Sequence, residues 1–133
     1  MEEFKILVVD DEDDFRETIV KRLQKRKMTA RGAASGEKAL EIIKAQPFDV
    51  VVLDVKMPGL DGIDTLREIK KSKPLIEVIL LTGHASVESG IEGMKLGAYD
   101  FVMKPANLEE LIEKMRQAYE KKMVSEAQAL EGR

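Results

Sequence analysis

Apolar residues in this chain fall in short continuous runs, separated by segments where they recur at every third or fourth position. The runs at 4–9 (FKILVV), 48–53 (FDVVVL), 76–81 (IEVILL) and 99–103 (YDFVM) have the length and continuity of strands buried on both faces of a parallel sheet. A weaker strand is expected at 28–33 (MTARGA). Helical spacing fills the intervals. Phe15, Ile19 and Leu23 lie four apart in a helix over 14–26, and Leu40 and Ile43 face inward from one over 36–45, with Ser35 placed to cap it. Pro47 ends that helix, and Met57 to Gly62 is turn chemistry. Ile63, Leu66 and Ile69 mark a helix over 62–71, and further helices are expected at 86–96 and 108–123. Asn107 with Glu110 three residues later resembles a capping box for the last helix. Strands and helices alternating in this rhythm predict an α/β fold, a parallel sheet with helices on both faces. Periodicity does not give the strand order.

In such sheets ligands bind outside the carboxyl ends of the strands. Those ends carry a consistent chemistry here. The first strand ends at Asp10-Asp11, the third at Asp54, the fourth at Thr82-Gly83 and the fifth at Lys104-Pro105. Three carboxylates gathered at one sheet end would repel one another, and a divalent cation removes that cost. Mg²⁺ takes hard oxygen ligands and keeps several waters, so two carboxylates and a carbonyl suffice. Asp54 can then act as a nucleophile toward a phosphoryl group. Lys104 supplies a fixed cation, Thr82 a hydroxyl, and Gly83 room for a backbone N–H to approach the phosphoryl oxygens. Each residue also has a plain reading: acids near a helix start, a β-favouring threonine, a strand-end lysine reaching water.

Composition narrows the field without selecting a function. At 133 residues the chain fits one domain with a real core, and 44% hydrophobic with 35% charged residues is the balance of a soluble globular protein. No apolar run approaches the ~20 residues of a membrane span. The acidic start Met1-Glu2-Glu3 argues against a secretory signal, and the lack of cysteine excludes disulfides and thiolate metal sites, which fits a cytoplasmic location. A net charge of −3 gives no general affinity for nucleic acid. The basic group Lys21, Arg22, Lys25, Arg26 and Lys27 falls at the end of the first helix, where cations suit the dipole.

Together the four blocks, Val8-Val9-Asp10-Asp11-Glu12, Leu53 through Met57-Pro58 to Asp61-Gly62, Leu81-Thr82-Gly83 and Lys104-Pro105, resemble the receiver domain of two-component response regulators. The resemblance covers about residues 4–122. It implies a flavodoxin-like (βα)5 fold with strand order 2-1-3-4-5, and a phosphorylation-dependent signalling switch rather than an enzyme with an external substrate. Asp54 would accept a phosphoryl group from a phosphohistidine on a sensor histidine kinase or phosphotransfer protein. Asp11, Asp54 and the backbone carbonyl of Lys56 would bind Mg²⁺, with Mn²⁺ as a substitute and Asp10 helping through water. Thr82 and Lys104 would contact the phosphoryl oxygens, and Phe101 would turn inward as Thr82 moves. The output face would be helix 86–96, strand 99–103 and helix 108–123. It would serve an output domain or partner, with homodimerisation through the same face, and the first helix would take part in kinase docking. Residues 1–123 would form the receiver and 124–133 a helix extension or linker.

Three side readings complete the picture. Gly90 and Gly93 lie inside helix 86–96, each costing ~1 kcal/mol relative to alanine, so this helix is expected to shift or partly melt on phosphorylation unless Gly93 serves close packing. His84, the only histidine, is expected to be a loop residue that tunes access to the site. A hydrolase of the haloacid dehalogenase type would use Asp11 in Asp11-Glu12-Asp13 as nucleophile, but it leaves Asp54 and the Met57-Pro58 turn unexplained. A nucleotide-binding domain lacks a glycine-rich loop after the first strand. A receiver acting only as a binding module has no support, because every key residue is present.

Overall fold

The computed structural model describes residues 4–83 and 87–132. Five strands, β1 (Lys5–Val9), β2 (Thr29–Ala33), β3 (Val50–Asp54), β4 (Glu77–Thr82) and β5 (Asp100–Met103), form one parallel sheet in the order β2-β1-β3-β4-β5. The helices are α1 (Asp13–Lys25), α2 (Gly36–Ala45), α3 (Gly62–Ser72), α4 (Val87–Lys95) and α5 (Leu108–Glu131). The α/β architecture and the strand order match expectation.

Strand periodicity sorts the core into two layers. Leu7, Val9, Val51, Leu53, Val78 and Leu80 face α2, α3 and α4, while Ile6, Val8, Val50, Val52, Ile79 and Leu81 face α1 and α5. The central strands β3 and β4 are buried at every position, as their unbroken apolar runs require. β2 is a half-exposed edge, consistent with its weak signal. Caps act where the sequence put them: Ser35 accepts the Lys38 N–H and Asn107 accepts the Glu110 N–H, both at 3.0 Å.

Of the two readings of residues 124–133, helix extension or linker, the chain takes the first: α5 runs without a break to Glu131. Its outer turns are tied to the sheet by Lys121 Nζ on Glu77 (2.8 Å) and Lys122 Nζ on Asp49 (2.9 Å). The stretch beyond is rich in helix-favouring Glu, Ala, Gln and Leu. Ion pairs spanning 44 and 73 residues leave no trace in local periodicity. In α4, a Cβ at Gly93 would lie 2.2 Å from Leu80 Cδ1, so close packing against β4 accounts for that glycine.

Candidate functional site

The chain leaves β1 toward β2 on one side, while β3 lies on the other, so the sheet's switch point falls between β1 and β3. Val9 is in register with Leu53, which brings the following residues, Asp10 and Asp54, to the same crevice. Asp10 is fully buried and held on several sides. Its N–H donates to the Ala33 carbonyl (3.1 Å), its Oδ1 accepts the Glu12 N–H (2.8 Å), and its carbonyl accepts Arg16 Nη1 (2.8 Å). Asp54 is 5% exposed. The loop after it folds straight back: Gly62 N–H donates to the Val55 carbonyl (2.9 Å), and a Cβ at Gly62 would lie 2.3 Å from the Asp54 carbonyl oxygen. Gly59 in the same loop has φ +74°, a conformation that only glycine adopts readily. Asp61 caps α3 by accepting the Asp64 N–H (2.9 Å). The glycines and the cap therefore set the direction in which the β3 end opens.

Lys104 reaches the crevice from β5. Its N–H donates to the Thr82 carbonyl (2.7 Å), and its Nζ lies 3.1 Å from Asp10 Oδ2, 3.4 Å from Glu12 Oε1 and 3.5 Å from Asp54 Oδ1. Oxygens of Asp10, Glu12 and Asp54 all lie within 4.8 Å of one another. Three carboxylates against one ammonium leave two negative charges in a partly buried crevice. The electrostatics follow. Burial pushes the Asp54 carboxyl up from 3.8 to about 6, and Asp10 adds to the rise, while Lys104 and a hydrogen bond from the Lys56 backbone oppose it. Burial alone would lower the Lys104 ammonium, but Asp10 and Asp54 outweigh it and raise the pKa, so the amine stays charged. Hard oxygen donors with surplus negative charge suit a divalent cation such as Mg²⁺.

The expected site residues do not all arrive together. Asp10, Asp54 and Lys104 converge. Asp11 is exposed and lies outside the converging group, whose third acid is Glu12. Successive residues at a strand end point opposite ways, so burying Asp10 turns Asp11 outward and brings Glu12 back to the same side. Thr82 is fully buried and its hydroxyl donates to Met103 Sδ (3.3 Å). Phe101 is half-buried and packs on the α2–α4 side of the sheet. A Cβ on Gly90 would lie 3.1 Å from Thr82 Cγ2 and 3.7 Å from Phe101 Cγ, so α4 touches both residues at once. No described atom lies within 4 Å of a Cβ built on Gly83, so packing does not demand glycine there. Lys56 is exposed. His84 lies outside the described residues. Glu12 was visible in the sequence motif without a role. Arg16 and Met103 carried no signal, since one acts through a backbone carbonyl and the other through a cross-strand contact.

Residues 6–116 match the family model of the response regulator receiver domain. The chain belongs to this family. A response regulator from Rickettsia typhi described as NtrX-like is 37% identical over 122 residues, covering 90% of this chain and 26% of that protein. The transcriptional regulatory protein ZraR of Escherichia coli K12 is 41% identical over 106 residues, covering 80% of this chain and 24% of its own length. Among solved structures, the receiver domain of NtrX from Brucella abortus superposes with a TM-score of 0.82 at 37% identity, covering 86% of this chain and 98% of that one. A response regulator receiver domain protein from Clostridium thermocellum reaches 0.87 at 37% identity, covering 92% and 98%. The chain spans about a quarter of the length of the curated relatives it matches. This receiver domain is a signalling module of two-component systems, and its acid cluster lies at the carboxyl end of the sheet. No helix among the described residues is long and apolar enough to cross a membrane.

Proposed function

We propose that this receiver domain is a phosphorylation switch in which Asp54 accepts a phosphoryl group from a phosphohistidine of a sensor kinase or phosphotransfer protein. The observation that carries the reading is the environment of Asp54: a buried carboxylate at the switch point, 3.5 Å from the Lys104 ammonium, inside a cluster whose acids outnumber that cation three to one. An Asp54 oxygen attacks phosphorus, the P–N bond of the donor breaks, and its electron pair returns to the imidazole nitrogen. The product is an acyl phosphate on Asp54. The Lys104 ammonium moves onto the phosphoryl oxygens and holds their charge. The Thr82 hydroxyl exchanges Met103 Sδ for a phosphoryl oxygen, and the Gly83 N–H approaches another. Attack of water on the acyl phosphate returns Asp54 slowly to its free state, so the protein catalyses only its own phosphorylation cycle.

Asp10, Asp54 and the Lys56 carbonyl would hold Mg²⁺ or Mn²⁺, with Glu12 in the same cluster and Asp11 turning in from solvent. The cation would neutralise charge on the acids and the incoming phosphoryl group. The signal would leave through Thr82 and Phe101, which Gly90 brings against α4. The face made by α4, β5 and α5 would meet an output domain or partner, or a second copy of the chain. Ile91 and Met94 of α4, 49% and 38% exposed, give that face apolar anchors. Net charge offers no support for direct nucleic-acid binding, and a cytoplasmic location fits the chemistry of the donor. The receiver unit would end near residue 123, with 124–133 as its helical extension. A hydrolase acting through Asp11 is disfavoured, because the buried carboxylate beside the Lys104 ammonium is Asp54, to which that reading gives no role.

Mass spectrometry after incubation with acetyl phosphate and Mg²⁺ tests the reading. One phosphoryl adduct is expected, absent with EDTA and absent in Asp54→Asn. An adduct retained in Asp54→Asn would overturn it.

A further inference from the structure

The Lys104 ammonium has a neighbour of a different kind from its three carboxylates. Its Nζ sits 4.8 Å from the centroid of the Phe15 ring, within the range where a cation is attracted to an aromatic face. Phe15 stands in the first turns of α1, half-buried against the layer built from Val8, Ile19, Leu23 and Leu81. Its helix is fastened to the crevice by the next residue, since Arg16 bonds both the Asp10 carbonyl and Asp13 Oδ1, each at 2.8 Å. The ring is therefore held in place relative to Lys104 by packing below and by Arg16 beside it. Helical periodicity accounts for an apolar residue at 15, but any aliphatic side chain would satisfy it.

The other three contacts of the ammonium are with oxygens of Asp10, Glu12 and Asp54, the atoms that a divalent cation and a phosphoryl group would engage. When those oxygens are taken, the ion pairs that now fix Lys104 weaken. The ring keeps its attraction, because it carries no formal charge and competes for neither metal nor phosphate. We infer that Phe15 is a positioning residue for phosphoryl uptake: its π face holds the Lys104 ammonium beside Asp54 while the carboxylates are occupied. The inference rests on the reading of Asp54 as phosphoacceptor.

Two measurements on the full chain test it. In the metal-free protein, the Lys104 CεH₂ protons should be shifted upfield by the Phe15 ring current, and Phe15→Leu should abolish the shift. Single-turnover uptake from acetyl phosphate at saturating Mg²⁺ should fall about fivefold in Phe15→Leu and recover in Phe15→Tyr, with Mg²⁺ affinity unchanged. Replacing Phe15 with mono-, di- and trifluorophenylalanine keeps its shape and drains the ring's negative face, so the uptake rate should decline stepwise. A flat fluorination series, or an unchanged Lys104 shift in Phe15→Leu, overturns the proposal. A parent chain that takes up no phosphoryl group overturns the functional reading and this proposal with it. A parent that is phosphorylated but shows a flat series overturns this proposal alone.

Discussion

At the amino end of the sheet, Glu77 is 2% exposed and meets Lys121 at 2.8 Å with Lys70 at 3.9 Å, while Asp49 takes Lys122 at 2.9 Å and the Lys5 N–H at 2.8 Å. At the carboxyl end, Asp10, Glu12 and Asp54 share Lys104 at 3.1 to 3.5 Å. At the first end Glu77, Asp49 and Glu126 meet Lys70, Lys121 and Lys122, with Lys122 bridging Asp49 and Glu126, so acids and lysines are equal in number; at the second, three acids share one lysine. The amino end is thus a strut: its charges cancel and fasten α5 across the sheet. The carboxyl end keeps an excess of negative charge that the fold does not neutralise, and that excess is what a cation and a phosphoryl group can use. Matched ion pairs hold the fold together, whereas mismatched ones prepare it for a ligand.

The strongest way to break the comparison is at Asp54. Asp54→Asn should remove phosphoryl uptake completely, as mass spectrometry would read, while leaving the fold intact. Next in size is Lys104→Ala, which should slow uptake about a hundredfold, the scale of losing one charge-stabilising donor. Mg²⁺ affinity should hold or rise, because the three acids then lose the ammonium they share. Rate and affinity falling together would show Lys104 to be a strut like those at the other end.

The amino end should respond in the opposite sense. Lys121→Met leaves Glu77 buried without its close partner, and Glu77 Oε1 already lacks a hydrogen bond. Urea denaturation should show a loss of about 3 kcal/mol, with phosphoryl uptake unchanged. A loss of uptake would mean that the two ends are coupled.

A smaller effect follows from the raised Asp54 pKa in the metal-free protein. An acid whose folded pKa lies above its unfolded value makes the native state bind more protons between the two values, so stability falls as pH rises from about 4 to about 6. Asp54→Asn removes that penalty. In EDTA at pH 7.5 it should stabilise the protein by about 2 kcal/mol, and the gain should vanish as pH drops below about 4. A gain independent of pH would assign the effect to packing instead of charge. Smallest is Asp11→Ala, expected to weaken Mg²⁺ binding and slow uptake. If calorimetry shows normal Mg²⁺ binding there but weakened binding in Glu12→Ala, Glu12 is the ligand.

Most of the architecture was legible because burial follows local periodicity. The runs at β1, β3 and β4 read as buried strands by their length and β-branched content, and Ser35 and Asn107 marked helix starts through chemistry acting over three residues. The site was legible as a set of strand ends, because the motif blocks around Asp10, Asp54, Thr82 and Lys104 each occupy the same position relative to an apolar run. Arg16 was not legible, since its partner is a backbone carbonyl six residues away, nor were the ion pairs that fasten α5 to Asp49 and Glu77.

The sequence by itself determined which segments are buried, in what order they come, and which chemistry stands at their ends, because hydrophobic period and motif spacing are properties of neighbours along the chain. Only the tertiary structure decided how the charges were shared. Lys104 meets Asp10 across 94 residues, Glu12 joins the cluster while Asp11 faces water, and Lys121 and Lys122 close the opposite end. Coulomb interactions depend on distance and burial in space. Until the strands took their places, a lysine that completes a strut and a lysine left to share three acids were the same residue.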